Sequence, residues 1–408
     1  MNGRVMVTAL VAVLAFGATI AWGQAPSGPT RPANARTVTG AASSPRGATD
    51  ADPLMPSGSQ PLPASWASYD PCPAQDITLP DQGPSLAQPV SVPAVPAVGL
   101  SGPAAVFDPA PGEVPASYDG TILRPADTLR YRGLRPSVVL MHGIYGEQCQ
   151  MWWLARYLAG AGYVTLTVTS PTPAERNASY GVAIDAARSA VHFLANPLDN
   201  PFGTSTDPSN IGIAGWSEGS VVASVVQGLP DMGAVRAIVA LDDLRGSFLG
   251  DSGAPVTFCS PPVRAAVTPR APALGFASDK VCDVQPDNSS PDLKLSGYGR
   301  WRAAGVPAVE LPLAGYGHFD YDAKGPKLYP VGQLTRSWLD AWLGGRPSAL
   351  AQFSLCQIDN LPSAGTLSSN FHSGVYLPSE SIDTTTWAPF LAGRCAQDPS
   401  VVGTTPLR

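Results

Sequence analysis

The segment Ile211-Gly212-Ile213-Ala214-Gly215-Trp216-Ser217-Glu218-Gly219 constrains the fold more than any other part of the chain. It runs a short apolar stretch into a G-x-S-x-G pentapeptide. Ser220-Val221-Val222-Ala223-Ser224-Val225-Val226 follows, with only small or apolar side chains. The pattern predicts a buried strand, a sharp turn and the start of a buried helix. Elements joined by so short a turn must approach closely, and Gly215 and Gly219 remove the side chains that would prevent it. The serine between them is held in a strained backbone conformation with its hydroxyl pushed out of the sheet. A serine hydroxyl is a weak nucleophile alone, so chemistry there needs a base beside it and amides that bind an anion.

Strand and helix patterns alternate from residue 105 to 345. Strands are predicted at Ser137–Met141, Tyr163–Val168, Ile211–Gly215, Ala234–Leu241, Ala273–Ala277 and Val306–Leu313. Helices are predicted at Met151–Leu158, Tyr180–Leu194 and Gln333–Leu343, the last stopped by Gly344-Gly345. This alternation specifies an α/β fold, a mostly parallel sheet with helices on both faces. Residues 24–104 are rich in Pro, Ala, Ser and Gly and are expected to be a flexible linker. Residues 346–408 break the rhythm and form a C-terminal extension with no assigned role.

The first 23 residues carry one basic side chain, Arg4, then an apolar stretch from Val5 to Trp22 and a small-x-small site at Ala21-Trp22-Gly23. This is the pattern of a secretory signal peptide, and it predicts a secreted, periplasmic or extracellular protein. No later segment is apolar for long enough to span a membrane. The chain has 408 residues and a formal net charge of -6, with 14% charged residues, and no basic stripe that would suit nucleic acid. Its six cysteines are an even number, which in an exported chain favours disulfides. None forms a close pair with metal-ligand spacing, so no metal site is expected.

Four histidines compete for the role of base. His192 lies within a predicted amphipathic helix and reads as structural. His372 falls in the irregular C-terminal region. His142 follows the strand Ser137–Met141, in His142-Gly143-Ile144-Tyr145-Gly146, and His318 follows the last strand, in Gly315-Tyr316-Gly317-His318-Phe319-Asp320. Parallel sheets place their sites at the carboxyl ends of strands, so His318 and Ser217 should meet there.

With the elbow, the upstream His-Gly loop and a histidine after the last strand, residues 115–345 resemble the α/β-hydrolase superfamily. Within it the chain leans toward secreted serine esterases of the cutinase, polyester-hydrolase and chlorophyllase-like groups. The resemblance implies an α/β-hydrolase fold with Ser217 as nucleophile and His318 as general base. It implies an oxyanion hole from the backbone N–H of Glu218 and of Ile144 or Tyr145, with His142 shaping that loop. It places the acid after the strand Ala273–Ala277, in Ser278-Asp279-Lys280-Val281-Cys282-Asp283. Asp279 is the first candidate and Asp283 could replace it if the turn is longer. Asp242 and Asp243, after the preceding strand, are the alternative site and read otherwise as a turn and helix cap. Asp320 and Asp322 read as turn or surface residues. Trp152, Trp153, Trp216 and Tyr145 suit either an apolar substrate pocket or core packing.

The activity so implied is carboxylic ester hydrolysis through an acyl-enzyme, without cofactor, on a small-molecule or polymeric ester. A peptidase or acyltransferase could use the same triad, and a non-catalytic surface protein could retain the fold.

Overall fold

The computed structural model describes residues 77–96, 114–126, 133–143, 146–170, 180–242, 244, 247–248, 265–278, 296–321, 327–353 and 374–377. Its centre is a nine-stranded sheet. In chain order the strands are β1 (Ser85–Pro93), β2 (Ser117–Pro125), β3 (Arg135–Met141), β4 (Val164–Val168), β5 (Thr206–Trp216) and β6 (Val235–Leu241). After the two-residue strands β7 (Ser247–Phe248) and β8 (Ala265–Ala266), which pair with each other, come β9 (Ala273–Ser278), β10 (Ala308–Leu313) and β11 (Gly374–Tyr376). The spatial order is β1-β2-β4-β3-β5-β6-β9-β10-β11. Strands β4, β3, β5, β6, β9 and β10 are mutually parallel, while β2 and β11 pair antiparallel at the flanks and β1 pairs antiparallel with β2.

The central strands are apolar on both faces because helices cover both. Helices α1 (Trp152–Gly160) and α5 (Leu328–Trp342) pack on one face, where Trp153, Tyr157, Leu334, Trp338 and Leu339 meet Val138, Leu140, Val239 and Leu274. Helices α2 (Tyr180–Ala195), α3 (Glu218–Val226) and α4 (Ser296–Ala303) cover the other, where Ala187, Val191, Val222 and Trp301 meet Val139, Ile213 and Ile238. Burying a Leu or Val side chain contributes about 1.5–3 kcal/mol, so these two layers dominate the stability of the unit. Pro330 fits α5 because it stands in the first turn, where the backbone N–H has no intrahelical acceptor to lose.

Two expectations change. Residues 77–96, expected within a flexible linker, include β1, and Leu79 and Val92 are buried in the core. Prolines do not forbid this because β1 is the edge strand and needs its backbone donors on one side only. The C-terminal extension supplies β11 to the opposite edge, and Leu350, Phe353 and Leu377 from it are buried. Residues 1–76, with the expected leader, lie outside the described residues. No helix among the described residues is long and apolar enough to cross a membrane.

Register brings the loops after β3, β5 and β6 together. Met141 of β3 stands beside Gly215 of β5, Trp216 beside Leu241 of β6, and Leu241 beside Phe276 of β9. The residues that follow these aligned strand ends, His142, Ser217 and Asp242, therefore emerge side by side.

Candidate active site

Ser217 joins β5 to α3 with φ 54° and ψ -115°, a conformation that costs a non-glycine residue about 1–3 kcal/mol. Neighbours over-determine it. Its N–H donates to the Leu241 carbonyl at 3.0 Å, and the Ser220 hydroxyl donates to the Ser217 carbonyl at 2.6 Å. A Cβ on Gly215 would strike the Gly219 carbonyl, and one on Gly219 would strike the Met141 carbonyl. Neither position has room for alanine. The Ser217 hydroxyl is buried, with the residue 3% exposed, and has no hydrogen-bond partner among the described residues. A buried hydroxyl left unpaired costs about 1–3 kcal/mol, and such groups concentrate where a fold keeps one available for chemistry.

His318 sits at the start of a 3-10 turn, His318–Tyr321, five residues past the end of β10. A clamp of polar contacts holds this loop. The Gly317 N–H donates to the Asp320 carboxylate at 2.7 Å, and the Lys327 ammonium donates to the same carboxylate at 2.7 Å and to the Gly315 carbonyl at 2.8 Å. Asp320 thus serves the turn, as its sequence position suggests. Trp216, the residue before the serine, ties His318 to the elbow. Its indole N–H donates to the His318 carbonyl at 2.8 Å, and its ring lies 5.1 Å from the imidazole. Gly143 is pressed against the other side of that indole, where a Cβ would come within 2.5 Å of the ring. One buried tryptophan therefore touches the serine turn, the histidine loop and the His-Gly loop. Trp153 is also core, so neither it nor Trp216 lines an open pocket.

The carboxylate that meets His318 is Asp242, which hydrogen-bonds Nδ1 of the imidazole. Asp242 directly follows β6 at φ 64°, and the Ser220 hydroxyl reaches its backbone carbonyl at 3.4 Å. Asp242 was expected as an alternative to the first choice, Asp279. Asp279 and its alternates Asp283 and Asp243 lie outside the described residues, as does Asp322, whereas Asp242 contacts the His318 imidazole. Both aspartates follow a parallel strand, and the strand order puts β6 beside β5 with β9 one place further out. An acid after β6 therefore lies nearer the elbow.

His142 is buried and bonded at both ring nitrogens. Nδ1 lies 2.6 Å from the Gly143 carbonyl, and Nε2 accepts from the Ser170 N–H at 2.9 Å. Since Nε2 accepts, Nδ1 carries the proton and donates. Burial pushes the imidazole down to about 4, so it stays neutral and shapes its loop, as expected of it. Gln150, buried and not foreseen, accepts from the Gly143 N–H at 3.1 Å and packs against Gly146. An isolated glutamine beside tryptophans carries no sequence signal for this. Ile144 and Tyr145, expected to supply an oxyanion-hole N–H, lie outside the described residues. Glu218 is the first residue of α3, where backbone N–H groups have no intrahelical acceptor.

His192 pairs with Asp231 at 3.0 Å beside Arg188, in keeping with a structural role. Cys149 is disulfide-bonded and so is no reactive thiol, and the other five cysteines lie outside the described residues. No cluster of metal-binding side chains occurs among the described residues. No protein-family model matches the chain, and no curated protein matches it.

Proposed function

We propose that this chain is an exported serine hydrolase of the α/β-hydrolase superfamily that cleaves carboxylic esters through an acyl-enzyme. The supporting observation is the convergence of a strained serine bearing an unpaired buried hydroxyl with an imidazole whose Nδ1 is held by a carboxylate. The Asp242 contact fixes the tautomer that leaves Nε2 of His318 able to take a proton. Ser217 attacks the ester carbonyl and His318 takes its proton. The N–H of Glu218, with one from Ile144 or Tyr145, stabilises the oxyanion. His318 returns the proton to the alkoxide as the C–O bond breaks, and the alcohol leaves. A water molecule, deprotonated by the same imidazole, then releases the acid and restores the serine.

Labelling with a fluorophosphonate probe, read by intact mass, tests this. The wild type should gain one adduct, and Ser217→Ala and His318→Ala should gain none. A folded wild type that stays unlabelled, and inert on short nitrophenyl esters, would sink the reading.

A further inference from the structure

We propose that Glu218 is a charge filter at the nucleophile, selecting neutral or cationic ester substrates and rejecting those whose acyl group carries a carboxylate. The assignment rests on the serine-hydrolase reading above and adds a substrate class to it.

From Ile211 through Gln227 every residue is buried except Glu218. The strand, the tryptophan, the serine and the helix behind it are sealed, and the surface beside Ser217 along this segment is the glutamate side chain. Its carboxyl makes no hydrogen bond or ion pair within the described structure. The neighbouring elements present His142, Asp242 and His318, and each already has a partner: His142 has Gly143 and Ser170, and Asp242 and His318 have each other. Protein crowds the carboxyl closely enough that burial alone pushes it up to about 7. The side chain keeps contact with solvent, while the residues on either side of it in this segment do not. The unpaired and buried Ser217 hydroxyl belongs to the preceding residue. A carboxylate there acts in a medium of low effective dielectric, where its field on a charge a few ångströms away is much stronger than in water. An anionic acyl group would meet repulsion, and a cationic one would find a counter-charge that no described residue occupies.

The test compares kcat/KM for three nitrophenyl esters of similar acyl length: the butyrate, the hemisuccinate and the 4-trimethylammoniobutyrate. At about pH 8.5 and low salt, the wild type should disfavour the anionic ester against the neutral one by about tenfold or more, and Glu218→Gln should remove most of that gap. The gap should also shrink in the wild type as pH falls below about 7, because the carboxyl takes a proton. The proton transfer by His318 is common to all three substrates and cancels from the ratio. An unchanged ratio in Glu218→Gln, or a wild-type ratio independent of pH and salt, overturns the proposal while neutral-ester turnover leaves the serine-hydrolase reading standing. If the variant fails to fold, the wild-type pH series decides alone. A wild type inert on all three esters and unlabelled by the neutral probe overturns both.

Discussion

Asp242 is the residue at which one substitution says most. In Asp242→Asn an amide faces Nδ1 of His318, and the imidazole loses the charge that fixes its tautomer. We predict a fall in kcat of about 1,000- to 10,000-fold with little change in KM, while Asp279→Asn stays within about threefold of wild type. Steady-state kinetics on a short ester would separate them, and the reverse ranking would return the acid to the loop after β9. Trp216 acts at one remove, through the carbonyl of His318. Trp216→Phe keeps the ring but drops that hydrogen bond, so kcat should fall by about tenfold with stability lowered by about 1 kcal/mol. An unchanged kcat alongside the same stability loss would make the tryptophan purely structural. The strained turn at Ser217 and the place of His318 after β10 were readable in the sequence, because a local motif and a position after the last strand mark them. The carboxylate that pairs with His318 was not, because several aspartates follow strands and only strand order distinguishes them.

At the scale of elements, the elbow works because β5 and α3 are packed backbone to backbone. Gly219→Ala must push a methyl into the Met141 carbonyl, and an overpacked site of this kind costs about 1–3 kcal/mol. Gly299 offers the contrast. It lies in the exposed part of α4, and nothing stands within 4 Å of a Cβ there. Gly299→Ala should therefore stabilise by about 0.5–1 kcal/mol through helix propensity. Urea unfolding of the two variants should shift the midpoint in opposite directions, and a neutral Gly219→Ala would disprove the close packing. The parallel strands were legible because strands buried on both faces read as continuous apolar runs. Strand β1 was hidden by its prolines and β2 by Asp119-Gly120, which reads as a turn. Pairing with a neighbour overrides such local signals at a sheet edge.

At the scale of the whole molecule, His142 and Glu218 titrate with opposite effects on stability. The folded state holds the His142 imidazole near 4, below the ordinary 6.5, so it binds fewer protons there than the unfolded chain. Its contribution is full above about pH 6.5 and is lost as pH falls toward 4. Glu218 is held near 7, above its ordinary 4.5, so its contribution is full below 4.5 and is lost as pH rises through 7. The two oppose each other between 4.5 and 6.5, and the wild-type profile alone would mask both. Glu218→Gln should gain stability over the wild type as pH rises from 4.5 to 7, by up to about 3 kcal/mol. The advantage of wild type over His142→Gln should shrink as pH falls from 6.5 to 4. Denaturation series across pH would show both trends, and a flat difference for either variant would refute that residue's share.

Sequence alone determined the layered α/β architecture, the strained serine turn and the histidine after the last strand. Each is written in local patterning, as apolar runs, glycine spacing and position along one chain segment. Tertiary structure decided which carboxylate holds the histidine, which tryptophan ties the loops together, and that a proline-rich stretch and a C-terminal segment join the sheet. These depend on strand order and on contacts between residues far apart in the chain. For Asp242 and His318 that separation is 76 residues, and no local pattern records such a contact.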